Sequence, residues 1–199
     1  MNLWWLLVTG AGLAVLAASV MLARGPAISA GEARVFHIVN GLPDALYWPL
    51  WLPMQLGNLA VGTVAGLLVA LVDRDATVAI GVILAMALKL VTERVVRREM
   101  SDHLAVRQRP ATSQVGAARH GSDVPVSGPS FPSGHVILVA AVATIVAPNL
   151  AASTAWLPPL AVVLVMLGRV YVGAHNPLDV TAGLGAGLLL GGIIATFVG

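Results

Sequence analysis

Apolar runs separated by short polar stretches set the pattern of this chain, and six of those runs read as membrane-spanning helices. They fall at roughly 3–23, 53–72, 76–96, 134–150, 156–174 and 178–198. The first, WWLLVTGAGLAVLAASVML, is long enough to cross a bilayer core of about 30 Å at a rise of about 1.5 Å per residue. Only Met1-Asn2 precedes it, without a basic residue, which favours a retained span over a cleaved signal peptide. The fourth and fifth runs are short or interrupted, and Pro148, Pro158 and Pro159 mark the turn between them. The last contains GLGAGLLLGG, whose small residues suit close helix approach.

The polar pieces divide by position. Between the first two runs, ARVFHIVNGLPDALYWPLW is too polar and too broken by Pro and Gly to cross. Its Phe36, Tyr47, Trp48 and Trp51 fit an interfacial segment at head-group depth. The largest extramembrane piece is about 97–133, rich in Gly, Ser, Pro and Arg, a composition that alone suits a disordered loop. Counting crossings places 24–52, 97–133 and the stretch from Arg169 to His175 on one side. The turns at Asp73–Asp75 and 148–159 lie on the other. The expectation is an all-α, polytopic membrane protein, a single domain over 1–199. It comprises a six-helix bundle, an interfacial segment and a polar loop between spans three and four.

Composition agrees with that pattern. The chain of 199 residues is 58% hydrophobic and only 10% charged, with a mean hydropathy of +0.89. Soluble domains carry about a quarter charged residues. Cysteine is absent, which excludes disulfides and thiolate metal sites. Net charge is only +2, but six of the eleven basic residues lie between Arg94 and Arg119. Such a cluster suits an anionic partner such as lipid head groups or phosphate. Nucleic acid is disfavoured, because no binding motif or aromatic interleaving accompanies the charge.

Three clusters carry the chemistry, all on one face: ERVVRREMSDHLAVRQRP, ending in Arg109-Pro110; PSGH at 132–135; and GRVYVGAHNPLD, from Gly168 to Asp179. Arg169 sits near the end of an apolar run, where an ionisable side chain points to function. If Asn176-Pro177 starts the last helix, Asp179 lies in its first turn and reaches back to His175. A carboxylate on one ring nitrogen fixes the tautomer and leaves the other free to act as base or nucleophile. The rival reading is an N-capping carboxylate beside an interfacial histidine. In PSGH, the Ser133 hydroxyl, the Gly134 NH and the positive end of a helix starting near His135 make a seat for an anion. His135 would stand beside it as a proton donor, although a plain capping motif competes with that role. The arginines could grip phosphate oxygens through planar, multidentate hydrogen bonds, or form a solvated patch.

Arg109-Pro110, PSGH, and Arg169 with His175 and Asp179 together resemble the three-part signature of the type 2 phosphatidic acid phosphatase family, which includes membrane lipid phosphatases and soluble vanadium haloperoxidases. The motifs cover about 90–180. The resemblance implies that His175 attacks phosphorus, Asp179 orients it, and His135 protonates the leaving oxygen and then activates water. It also implies that Arg109, Arg169, Ser133 and the Gly134 NH hold the phosphoryl oxygens, with no cofactor and no metal. Two positions depart from the family pattern. The lysine expected seven positions before Arg109 is Asp102, so an insertion is inferred, with Arg97 in the lysine's place and Arg98 or Lys89 as alternatives; Arg107 could also contribute. The third motif begins with Gly168 where the family has serine.

The activity so implied is hydrolysis of a lipid phosphomonoester or pyrophosphate, on a polyprenyl or glycerolipid carrier, through a phosphohistidine. A non-catalytic anionic-lipid scaffold with the same fold is the alternative. A vanadate-dependent oxidase is disfavoured, because the soluble relatives lack this membrane composition. The excess of arginine on the chemical face argues for a cytoplasmic location. The resemblance implies a site on the extracytoplasmic side of the cell membrane.

Overall fold

The computed structural model describes residues 3–25, 27–103, 107–122 and 124–198, without the side chains of 97 and 99–103. Among these residues the fold is all-α, with nine α-helices and three short 3-10 turns. The helices are α1 (Leu3–Leu22), α2 (Ala30–Asn40), α3 (Tyr47–Met54), α4 (Leu59–Asp73) and α5 (Ala76–His103), then α6 (Pro110–Ser113), α7 (Gly134–Val146), α8 (Leu157–Tyr171) and α9 (Pro177–Val198).

Three segments are long and apolar enough to cross a bilayer as single helices: α1, residues 76–96 of α5, and α9. The expected second span departs from a straight helix over 53–72. Chain 44–57 and α4 meet at a bend of 74° and together make a fourth candidate. The break has a local cause. Gly57 ends a 3-10 turn, and Asn58 restarts the helix in an extended conformation, its side-chain oxygen accepting the Ala60 N–H at 3.0 Å. Helices α7 and α8 are shorter than their apolar runs, at 13 and 15 residues. Each spans about 20 Å, less than a bilayer core of about 30 Å. The polar loop also differs from expectation. Its first part continues α5 to His103, and its described residues from 107 onward are pinned by α6, by a bridge between Gln108 and Pro129, and by Ser130 N–H bonding to the Arg107 carbonyl at 3.0 Å.

Helix α7 is the axis of the molecule. It packs on α4, α5, α8 and α9, and its residues from Val136 to Val142 are all buried. Two apolar clusters meet on it. One joins Val78, Val82 and Ala85 of α5 to Leu138, Ala141, Ile145 and Ile194; the other joins Phe36 of α2 to Val136, Ala140, Val165 and Val180. Helix α1 lies along α9 at very close approach, because a Cβ at Gly12 or at Gly185 would run into the backbone of the opposite helix. The polar segments gather at one end. There the Asn40 side chain donates to the Tyr171 and Ala118 carbonyls at 2.7 and 2.9 Å and accepts the Ala118 N–H at 2.8 Å.

Candidate active site

The PSGH motif stands where the buried axis helix meets this polar end. Ser133 occupies the N-cap position of α7, yet its hydroxyl makes no capping bond, and it is fully buried without a hydrogen-bond partner among the described residues. A capping serine would bond an amide of the first turn, so the plain capping reading fails here. The hydroxyl is desolvated and unused. Its backbone N–H donates to the Asp179 carbonyl at 2.9 Å, which ties the start of α7 to the start of α9. His135 follows on α7, with Gly57 packed so tightly on it that a Cβ there would come within 2.6 Å of the His135 Cβ.

The third motif is shaped by the end of α8. Gly173 takes a positive φ of 76°, a conformation glycine adopts without steric cost. The turn then places the Ala174 and His175 N–H groups on the Arg169 carbonyl at 3.1 and 3.2 Å. Helix α9 begins at Pro177, so Asp179 does lie in its first turn. Its Oδ2 accepts the Asn176 N–H at 2.8 Å and stands 3.8 Å from His175 Nδ1, an ion-pair separation rather than a hydrogen bond. Burial pushes His175 down to about 4; Asp179 opposes that shift, while Arg169 and Arg109 add to it. The imidazole is therefore neutral at physiological pH.

A polar cavity of about 260 Å³ brings most of the expected residues together. Arg109, Gly134, His135, Arg169 and His175 line it, with Lys89 and Glu93 of α5 and the loop residues Ser130, Phe131 and Pro132. Arg109 Nη1 donates to the Ala174 carbonyl at 2.9 Å, bracing the turn that presents His175. Two larger cavities, about 430 and 450 Å³, are walled mainly by apolar side chains of the bundle and hold no group suited to handling an anion.

Of the basic residues weighed for the lysine's place, Lys89 reaches this cavity, and it pairs with Glu93 at 2.9 Å. The Arg97 side chain lies outside the described residues, and that of Arg98 is exposed. Arg107 does not face the cavity. It is fully buried, its Nε donating to Asp179 Oδ1 at 3.2 Å and its terminal nitrogen to Glu32 Oε1. Neither Glu32 nor Glu93 stands out as a site residue in the sequence. Glu93 was detectable in principle, one helical turn after Lys89. Locally Glu32 reads only as the third residue of α2, its N–H bonding the Ser29 hydroxyl, because the partners of its carboxylate lie 75 and 146 residues away.

A family model described as the PAP2 superfamily matches residues 76–199. The chain is 31% identical over 162 residues to the Escherichia coli (strain K12) protein "Putative undecaprenyl-diphosphatase YbjG", covering 78% of this chain and 76% of that one. The structure of LpxE from Aquifex aeolicus superposes with a TM-score of 0.70 at 23% identity, covering 82% of this chain and 93% of LpxE. A transmembrane PAP2-type phosphatidylglycerolphosphate phosphatase from Bacillus subtilis superposes with a TM-score of 0.50 at 20% identity, over 98% of this chain and 92% of its own.

Proposed function

The chain belongs to the PAP2 superfamily, and from that premise we propose that it is a membrane lipid phosphatase acting through a phosphohistidine on His175. The observation that carries the reading is the shared cavity. It joins a neutral histidine backed by a buried carboxylate to a second histidine, two arginines and a lysine. Because Nδ1 of His175 faces Asp179, Nε2 is the nitrogen presented to substrate. It forms the N–P bond as the P–O bond to the leaving group breaks, and His135 gives the departing oxygen its proton. Water then attacks the phosphohistidine, His135 takes the proton, and the N–P bond breaks to release phosphate. Arg109, Arg169, the Gly134 NH and the spare Ser133 hydroxyl hold the equatorial oxygens, and Lys89 supplies the cation expected of the missing family lysine. This assembly of cations and donors balances the developing charge without assistance from a metal ion.

Likeness to the protein named "Putative undecaprenyl-diphosphatase YbjG" over three quarters of both chains favours a polyprenyl diphosphate as substrate. In this reading α7 and α8, with the bent pair and the three long helices, make six crossings. The assay is phosphate release in detergent with a chelator, offered undecaprenyl diphosphate, phosphatidic acid and phosphatidylglycerophosphate. His175→Ala should lower the rate by at least about 10³-fold. Release that survives this substitution or depends on added divalent metal refutes the mechanism. A wild-type protein inert toward every lipid favours a scaffold.

A further inference from the structure

Behind the cavity lies a second layer of charge, which joins Arg107 and Asp179, from two of the three sequence clusters, to Glu32, a residue outside all three. Arg107 is completely buried between two carboxylates from different parts of the chain, Glu32 on α2 and Asp179 on α9. It uses two arms of its planar fork, Nε to Asp179 Oδ1 at 3.2 Å and a terminal nitrogen to Glu32 Oε1. The same Glu32 oxygen accepts the Leu178 N–H at 3.0 Å, and Asp179 Oδ2 accepts the Asn176 N–H at 2.8 Å. Both carboxylates thus grip the first turn of α9 through its backbone while sharing one guanidinium. Burial raises the Glu32 carboxyl above its ordinary range, whereas its bonds to Leu178 and Arg107 pull it down.

We propose that Glu32 and Arg107 form a positioning relay that fixes the Asp179 carboxylate and thereby selects the tautomer of His175. The chain of contacts runs in one direction. Glu32 holds Arg107, Arg107 occupies one Asp179 oxygen, and the other oxygen is left with the Asn176 amide and the His175 Nδ1. Asp179 cannot turn away without leaving the Nε of Arg107, which no solvent reaches, unpaired. Fixed in this way, it favours the proton on Nδ1 and leaves Nε2 unprotonated to attack phosphorus. Neither Glu32 nor Arg107 lines the cavity, so the relay acts on turnover rather than on substrate binding. A serine or an asparagine could satisfy the backbone of α9, but only a bidentate cation couples that backbone to the carboxylate behind the nucleophile. The claim for turnover rests on the phosphohistidine reading above; the claim for the tautomer does not.

Two variants test it, Glu32→Gln and Arg107→Lys, in the full chain in detergent. Glu32→Gln keeps an oxygen for the Leu178 N–H but removes the charge that anchors Arg107, and Arg107→Lys keeps the charge but loses the fork. Each should lower kcat by about 10- to 100-fold with KM within about twofold. ¹⁵N-histidine NMR near neutral pH, with and without inorganic phosphate, reads the tautomer directly, His175 being assigned by its absence from His175→Asn. Wild-type His175 should carry its proton on Nδ1, and both variants should move population to Nε2–H. A side chain that merely supports the fold would lower the melting temperature without changing that ratio. An unchanged tautomer in the variants, or a loss confined to KM, overturns the relay. Should Arg107→Lys fail to fold, Glu32→Gln decides alone. If the wild type releases no phosphate from any lipid, the phosphatase reading falls and the tautomer ratio still decides the relay.

Discussion

A histidine proposed as a nucleophile has to stay unprotonated, and in this molecule burial favours the neutral form of His175. Its depression to about 4 is set mainly by desolvation, and Asp179 recovers only part of it. The consequence for stability has a definite sign. In the unfolded chain the imidazole takes up a proton near its ordinary value of about 6.5, while the folded chain resists until about 4. As pH falls through that window the unfolded state binds more protons, so folding weakens, and below about 4 the loss stops growing. The full effect is roughly 3 kcal/mol, at about 1.4 kcal/mol for each pKa unit. Melting curves of wild type and His175→Asn in detergent should therefore converge or cross as pH drops from 7 to 4, with wild type losing more. Parallel curves would mean that His175 titrates normally and that its burial is not felt. The other functional residues owe their positions to equally local causes. The unused Ser133 hydroxyl marks a helix start that is not capped by its own serine, and positive φ at Gly173 turns the chain so that His175 faces inward.

At the scale of elements, the sequence was most legible where one helix is apolar along its whole length. The ends of α1 and α9 lie within a residue or so of the expected limits, and their close packing was readable from the glycines of the last span. Gly185→Ala should lower stability in detergent by about 1–3 kcal/mol, because the new methyl has no room against Gly12 and Leu16. Gly10→Ala, on α1 with nothing within 4 Å, serves as the control and should be neutral or slightly stabilising. Equal effects from the two would show that α1 does not sit in this register. What could not be read was where helices bend or stop. The break at Gly57-Asn58 satisfies helical rules on both sides, and the close packing on His135 that favours glycine there is made by a residue 78 positions away. The same limit hid Glu32, whose importance arises only when α2 folds over the start of α9. The motifs, by contrast, were readable because their members are close in sequence and their chemistry is unusual at membrane depth. Lys89 shows the boundary between these cases. The family spacing fell on Asp102 and an inferred insertion gave Arg97, whose side chain lies outside the described residues. The helical path of α5 brings Lys89, one of the alternatives, to the cavity.

Across the whole molecule the segregation of chemistry to one end raises the question of which side of the membrane it faces. Charge alone argues for the cytoplasm, because basic residues crowd the loops at the site end and only Arg74 marks the opposite turn. That argument loses force once the basic residues are placed. Arg109, Arg169 and Lys89 line the cavity and Arg107 is sealed between carboxylates, so none of the four is free to act as a topological signal. Arg24, Arg34, Arg94, Arg97, Arg98 and Arg119 still stand at the site end against Arg74, so charge continues to argue for the cytoplasm. The proposed function, by contrast, takes the outward-facing site that the family resemblance implies, where a lipid diphosphate of the outer leaflet would meet it from the side. The absence of cysteine makes the test direct, since a single introduced thiol has no background. Val115, almost fully exposed at the site end, and Asp73, exposed at the opposite turn, are both outside the lining of the cavity. In intact cells a membrane-impermeant maleimide should label Val115→Cys and leave Asp73→Cys unmodified until the membrane is opened. The reverse pattern would place the cavity in the cytoplasm. It would also require substrate to be drawn from the inner leaflet.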